Sequence, residues 1–90
     1  MSPVHHHGPD EGAFYILRGC VSFFFGEGLR QRVDVRAGEF VFIPAWTIHA
    51  EANLAHEEAE LIAIRSTAKP SMVSIPDVDV PDDMLEPPPA

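Results

Sequence analysis

The sequence predicts an all-β, antiparallel fold. Short runs of aromatic and β-branched residues recur through the first two-thirds of the chain, and turns bearing glycine or proline separate them. Apart from a brief Ala52 to Ala59 segment, no stretch before Lys69 combines helical spacing with a capping signal. Six short strands at this spacing imply an antiparallel barrel or sandwich.

Taken in order, Ala13 to Arg18 is the first clear strand, Gly19 interrupts, and Cys20 to Phe25 resumes. Gly26-Glu27-Gly28 supplies the positive φ angles of a hairpin turn. Leu29 to Val35 alternates, with Leu29, Val33 and Val35 on one face and Arg30, Arg32 and Asp34 on the other. Arg36-Ala37-Gly38 turns the chain, Glu39 to Ile43 is an almost continuous apolar strand, and Pro44 ends it by removing a backbone donor. Thr47 to Asn53 and Glu60 to Arg65 supply the last two strands. Residues 1–69 read as one domain. Residues 70–90 are rich in proline and acid, with Asp77, Asp79, Asp82, Asp83 and Glu86 and no base, and read as an extended, partly disordered arm. Met72-Val73 with Ile75 offers that arm one edge strand.

Ninety residues with 6 Lys+Arg against 14 Asp+Glu carry a net charge of −8. Acidity and the absence of a basic cluster argue against nucleic acid. No apolar run reaches the ~18 residues of a membrane helix, and the first dozen residues lack a signal-peptide layout. A cytoplasmic location is therefore expected. A core this small needs support from a metal or a partner chain, because Cys20 is the lone cysteine and cannot form a disulfide within the chain.

Five histidines are concentrated for a chain of this length, and three stand together as His5-His6-His7. In an extended strand His5 and His7 share a face while His6 points away. Glu11 follows four residues after His7, and His49 lies on a later strand that a barrel could bring opposite the pair. Three imidazoles and a carboxylate suit a divalent transition metal: Fe, Mn, Ni, Zn, Co or Cu. Histidines so close to an initiator methionine also occur in disordered leaders. Glu51 shares the face of His49 and is a candidate general base or replacement ligand; Tyr15 is a candidate proton donor. Trp46, beside the site, could cap a pocket.

The chain resembles the cupin superfamily. Gly38, Pro44, His49 and Asn53 stand at the spacings of the family's second motif, Gly-x5-Pro-x-Gly-x2-His-x3-Asn, with Trp46 where glycine is usual. His5, His7, Glu11 and Gly19 represent the first motif, although seven residues instead of six separate Glu11 from Gly19 and Gly12 occupies the usual carboxylate position. Either a bulge turns Glu11 inward or the site is three-histidine. The pattern His-His-His-Gly-x2-Glu-x2-aromatic-Tyr from His5 to Tyr15 is similar to that of some small cupins. The resemblance implies a jelly-roll barrel, the antiparallel double-stranded β-helix, short at its N-terminal end. It implies a metal held by His5, His7, Glu11 and His49, and oxygenase, isomerase, decarboxylase or lyase chemistry on a small polar or aromatic molecule. A ligand-binding or sensing cupin without turnover is the alternative. Four residues before His5 cannot supply the strands that cupins have there, so a second chain is expected to cover the open edge, giving a homodimer.

Overall fold

The computed structural model describes residues 1–69 and 71–89, and Pro70 and Ala90, the outer bounds of the expected arm, lie outside the described residues. The fold is all-β, with eight strands among the described residues: β1 His5–His6, β2 Gly12–Arg18, β3 Cys20–Phe25, β4 Gln31–Arg36, β5 Phe40–Ile43, β6 Ala50–Ala52, β7 Glu60–Arg65 and β8 Val73–Ser74. They form two three-stranded antiparallel sheets, ordered β5-β2-β7 and β4-β3-β6, and a two-stranded strip of β1 and β8.

Alternation along the strands builds the core between the two larger sheets. Phe14 and Ile16 of β2, Val21 and Phe23 of β3, Val35 of β4 and Ile43 of β5 pack together there. Gly19 joins β2 to β3 at φ 82, and a Cβ at that position would come within 2.7 Å of the Glu58 carbonyl oxygen. Only glycine suits that turn.

Strand β3 is buried on its other face as well. Phe24, Ala50 and Ala52 pack there with Val4 from the N-terminal segment and with Val80 from the arm, and Ile75, Met84 and Leu85 add to the cluster. The arm therefore contributes to the core, although its composition reads as disordered. Its apolar residues are few, but they are spaced so that Ile75, Val80, Met84 and Leu85 reach one face. Arg32 holds the arm in place: its Nη1 donates to the Met84 carbonyl at 2.8 Å and its Nε to Asp34 at 2.9 Å. Burial pushes the Asp34 carboxyl up, but hydrogen bonds from Ser22 and Arg32 and the charges of Arg32 and Arg36 outweigh it and leave Asp34 below its ordinary value. The edge strand expected near Met72-Val73 is β8, paired with β1 through His6 opposite Val73 and His5 opposite Ser74.

Three local readings change, one being that the strand expected from Thr47 to Asn53 forms only at Ala50–Ala52, with His49 in an isolated bridge to His5. Leu29 lies in a 3-10 turn spanning Glu27–Leu29 at φ 58, and it is buried with Phe24 instead of continuing the face of Val35. The turn consumes three residues, so β4 begins at Gln31. The Ala52 to Ala59 segment is not helical, because Asn53 folds it locally: its side-chain oxygen accepts from the Ala55 N–H and its amide donates to the Glu57 carbonyl.

Candidate metal centre

Strand β1 presents its histidines to opposite sides. His6 faces outward, its ring 5.6 Å from that of Trp46, while His5 and His7 face inward. His5 and His49 exchange both backbone hydrogen bonds, each at 2.9 Å, which places residue 49 directly across from residue 5. Ring centroids are then 4.3 Å apart for His5 and His49, 4.8 Å for His5 and His7, and 5.4 Å for His7 and His49. One nitrogen from each ring lies within 4.8 Å of the other two, so the three could hold a metal ion.

The hydrogen bonds fix which nitrogen is available. His5 Nδ1 donates to the Pro3 carbonyl at 2.7 Å, His7 Nδ1 to the Ser71 carbonyl at 2.7 Å, and His49 Nδ1 to the Thr47 carbonyl at 2.9 Å. A carbonyl oxygen can only accept, so each Nδ1 carries the proton and each Nε2 keeps a lone pair. Backbone carbonyls in this role are the usual outer support of metal-binding imidazoles. Burial pushes His49 down to about 4, against the raising effect of its Thr47 hydrogen bond, so the ring is neutral near pH 7.

His49 Nε2 faces Glu51 Oε2 at 3.4 Å, and among the described residues both atoms are buried without a hydrogen-bond partner. Two acceptors that face each other away from water cost on the order of 1–3 kcal/mol each. A cation or a proton between them removes that cost. Metal bonds of about 2.1 Å place neighbouring donor atoms roughly 3.0–3.4 Å apart; the 3.4 Å between His49 Nε2 and Glu51 Oε2 meets that spacing, and the three imidazole nitrogens, within 4.8 Å of one another, could close on a divalent ion. Burial also pushes the Glu51 carboxyl up, opposed by His5, His7 and Arg65.

The other expected site residues lie elsewhere. Glu11 is exposed and does not join the three rings; its backbone N–H accepts no role there, instead donating to Ser66 Oγ, while its carbonyl accepts from the Ser66 N–H. Gly12, at the spacing usual for the carboxylate, pairs with Arg65 across β2 and β7, and a Cβ on it would meet Arg65 Nη1 at 2.8 Å. No inward bulge forms because that interior space is filled by a guanidinium. Tyr15 faces outward with Leu17, since the inward positions of β2 belong to Phe14 and Ile16. Trp46 is 65% exposed and does not close the cavity. Cys20 is buried, and burial pushes its thiol up.

A cavity of about 330 Å³ opens beside His49, with Phe23, Phe25, Val33 and Ile43 among its apolar walls and Thr47 and His49 as its polar points. Arg65 was not foreseen. Among the described residues its Nη1 is buried without a partner, and its guanidinium lies 4.9 Å from the centroid of Phe14, whose ring packs 5.5 Å from that of Phe23. The available signal was its position as the single base closing the apolar run Leu61 to Ile64.

A family model described as "Cupin domain" matches residues 1–65. The chain belongs to the cupin family. No curated protein and no solved structure matches it. The motif positions of this cupin acquire physical reasons in the fold. Pro44 ends β5, and Gly38 turns at φ 87. Trp46 adopts φ 63, the left-handed region where glycine is unstrained, which accounts for the glycine usual at that position. Among the described residues no helix is long and apolar enough to cross a membrane.

Proposed function

We propose that this cupin holds a divalent first-row transition metal ion on His5, His7 and His49, and that Glu51 acts beside it as a proton acceptor. The substrate is a small molecule with an apolar or aromatic body and an oxygen-bearing head. The observation that carries this reading is the shared orientation of three imidazoles, each with Nδ1–H bound to a backbone carbonyl and Nε2 left to converge. A bound ion would polarise an oxygen of the substrate or lower the pKa of water.

The protein's own residues do the remainder. Apolar walls exclude water and seat the body of the molecule. Arg65, whose Nη1 is buried without a partner among the described residues, favours a negatively charged head. Glu51, its carboxyl raised by burial, accepts a proton from carbon or water. A base at this place favours proton-moving chemistry of the isomerase or lyase type over the oxygenase and decarboxylase classes. The buried free thiol of Cys20 is in keeping with work in a reducing cytoplasm.

Elemental analysis of protein purified without added metal tests the centre. Wild type is expected to carry close to one transition-metal ion per chain, and His49→Ala to lose it. Unchanged metal content in His49→Ala would refute the assignment. The apolar walls, with few polar groups besides Thr47 and His49, also suit a cupin that binds a ligand without turnover. Glu51→Gln separates the two: an enzyme keeps its metal and loses product formation, whereas in a binding module neither wild type nor variant converts a ligand that both retain.

A further inference from the structure

Arg65 brings a charge to the inner side of the sandwich, and no carboxylate among the described residues pairs with it. Arg18, Arg30 and Arg32 each have such a partner. Arg65 stands in one row with Gly12 and Ile43 across β7, β2 and β5. The middle position carries no side chain, so the guanidinium occupies the space there, with Nη1 2.8 Å from where a Gly12 Cβ would be. That nitrogen is buried and has no hydrogen-bond partner among the described residues. Ile43, next in the row, is a wall of the large cavity beside His49, and so is Phe23, which packs on the Phe14 ring flanking the guanidinium. Arg65 also lines a shallower hollow of about 200 Å³ with Glu11 and Phe42, and Phe42 belongs to both cavities. Its charge reaches the metal centre, where it pulls His49 and Glu51 down.

Resting on the proposed function for the position of the ion, we propose that Arg65 anchors the carboxylate of the substrate, and that the substrate is a monocarboxylic acid with a compact aromatic or branched apolar body. The three imidazoles are neutral donors, so a divalent ion and Arg65 together bring three positive charges to the site, against one negative charge from Glu51. Excess charge away from water is costly unless an anion enters with the ligand. A guanidinium matches a planar carboxylate in shape as well as in charge. Walls of Phe23, Phe25, Val33 and Ile43 seat an apolar body and offer nothing to the hydration shell of inorganic phosphate. Arg65 thus selects the ligand by its charge, and the apolar cavity selects it by its body.

Isothermal titration calorimetry of the full chain tests this, with phenylacetate, its neutral analogue phenylacetamide and inorganic phosphate as probes, and with metal content measured on every sample. Phenylacetate is expected to bind wild type at least tenfold more tightly than either the amide or phosphate. Arg65→Met weakens phenylacetate at least tenfold, leaves the amide unchanged and keeps the metal, and Arg65→Lys, which retains the charge, recovers part of the loss. The comparison of acid with amide needs no variant: equal affinities in wild type overturn the inference. Equal phenylacetate affinity in wild type and Arg65→Met overturns it as well, as does phosphate binding as tightly as the acid, or no phenylacetate binding at millimolar concentration. Failure of the metal reading looks different, because wild type would then carry no ion while the preference for acid over amide still depended on Arg65.

Discussion

Trp46 sits in a backbone conformation that favours glycine, at φ 63, with its ring largely in solvent and touching only the edge of the site through His6. A left-handed conformation costs a side-chain-bearing residue roughly 1–2 kcal/mol, and the exposed ring recovers little by packing. Trp46→Gly is therefore expected to raise stability by about 1 kcal/mol in denaturant unfolding, with metal content unchanged. A loss of stability would show that the contact with His6 outweighs the backbone strain. A neighbouring lesson concerns Gly12 and Glu11. Spacing alone left open whether a bulge turns Glu11 inward, and the answer depends on Arg65, fifty-odd residues away, whose guanidinium fills the space beside Gly12. Long-range occupancy of this kind has no local sequence signature. Glu51, by contrast, was legible, because a period of two fixes its side of the strand once His49 faces inward.

Among the elements, the arm and β1 depend on each other. Strand β8 pairs with β1, the Ile75 N–H donates to the Val4 carbonyl, and the Ser71 carbonyl orients His7. The arm lies outside residues 1–65, the span matched by the family model, yet it supports an imidazole within it. Val80→Asp in the full chain would place a carboxylate in the apolar cluster with Phe24 and lift the arm. The expected result is metal affinity reduced roughly 10- to 100-fold, the usual effect of losing support behind a ligand, read by competition with a chromophoric chelator. Asp83→Ala, which removes only an exposed ion pair with Arg30, should leave affinity unchanged. The strands from β2 to β5 and β7 were readable to within a residue or two, because their alternation is local. The role of the arm was not, because its proline and acid content masks four apolar residues that matter only once β3 offers them a face.

At the scale of the whole molecule, the chain closes its core with two thin layers and leaves mutually unsatisfied acceptors at their junction. His49 Nε2 and Glu51 Oε2 are buried, adjacent and without donors among the described residues, so the folded state is under tension there unless a cation or proton intervenes. Anything bound to the folded state and not to the unfolded chain adds stability by mass action, about 2.7 kcal/mol when free ligand stands at 100 times its dissociation constant. In a domain of 60–100 residues each kcal/mol moves Tm by roughly 4–8 °C. Stripping the ion with a chelator is accordingly expected to lower Tm by roughly 10–20 °C, and re-adding a divalent transition metal should restore it. The specificity of the effect lies in the side-chain directions of β1: His6→Ala, on the outward face, should keep the full shift, whereas His5→Ala and His49→Ala should melt at one temperature with or without chelator. Equal chelator sensitivity in all three variants would mean that the ion stabilises the fold from some other place. The buried acceptors would then have to be reconciled by a shared proton, with Glu51 remaining protonated near neutral pH.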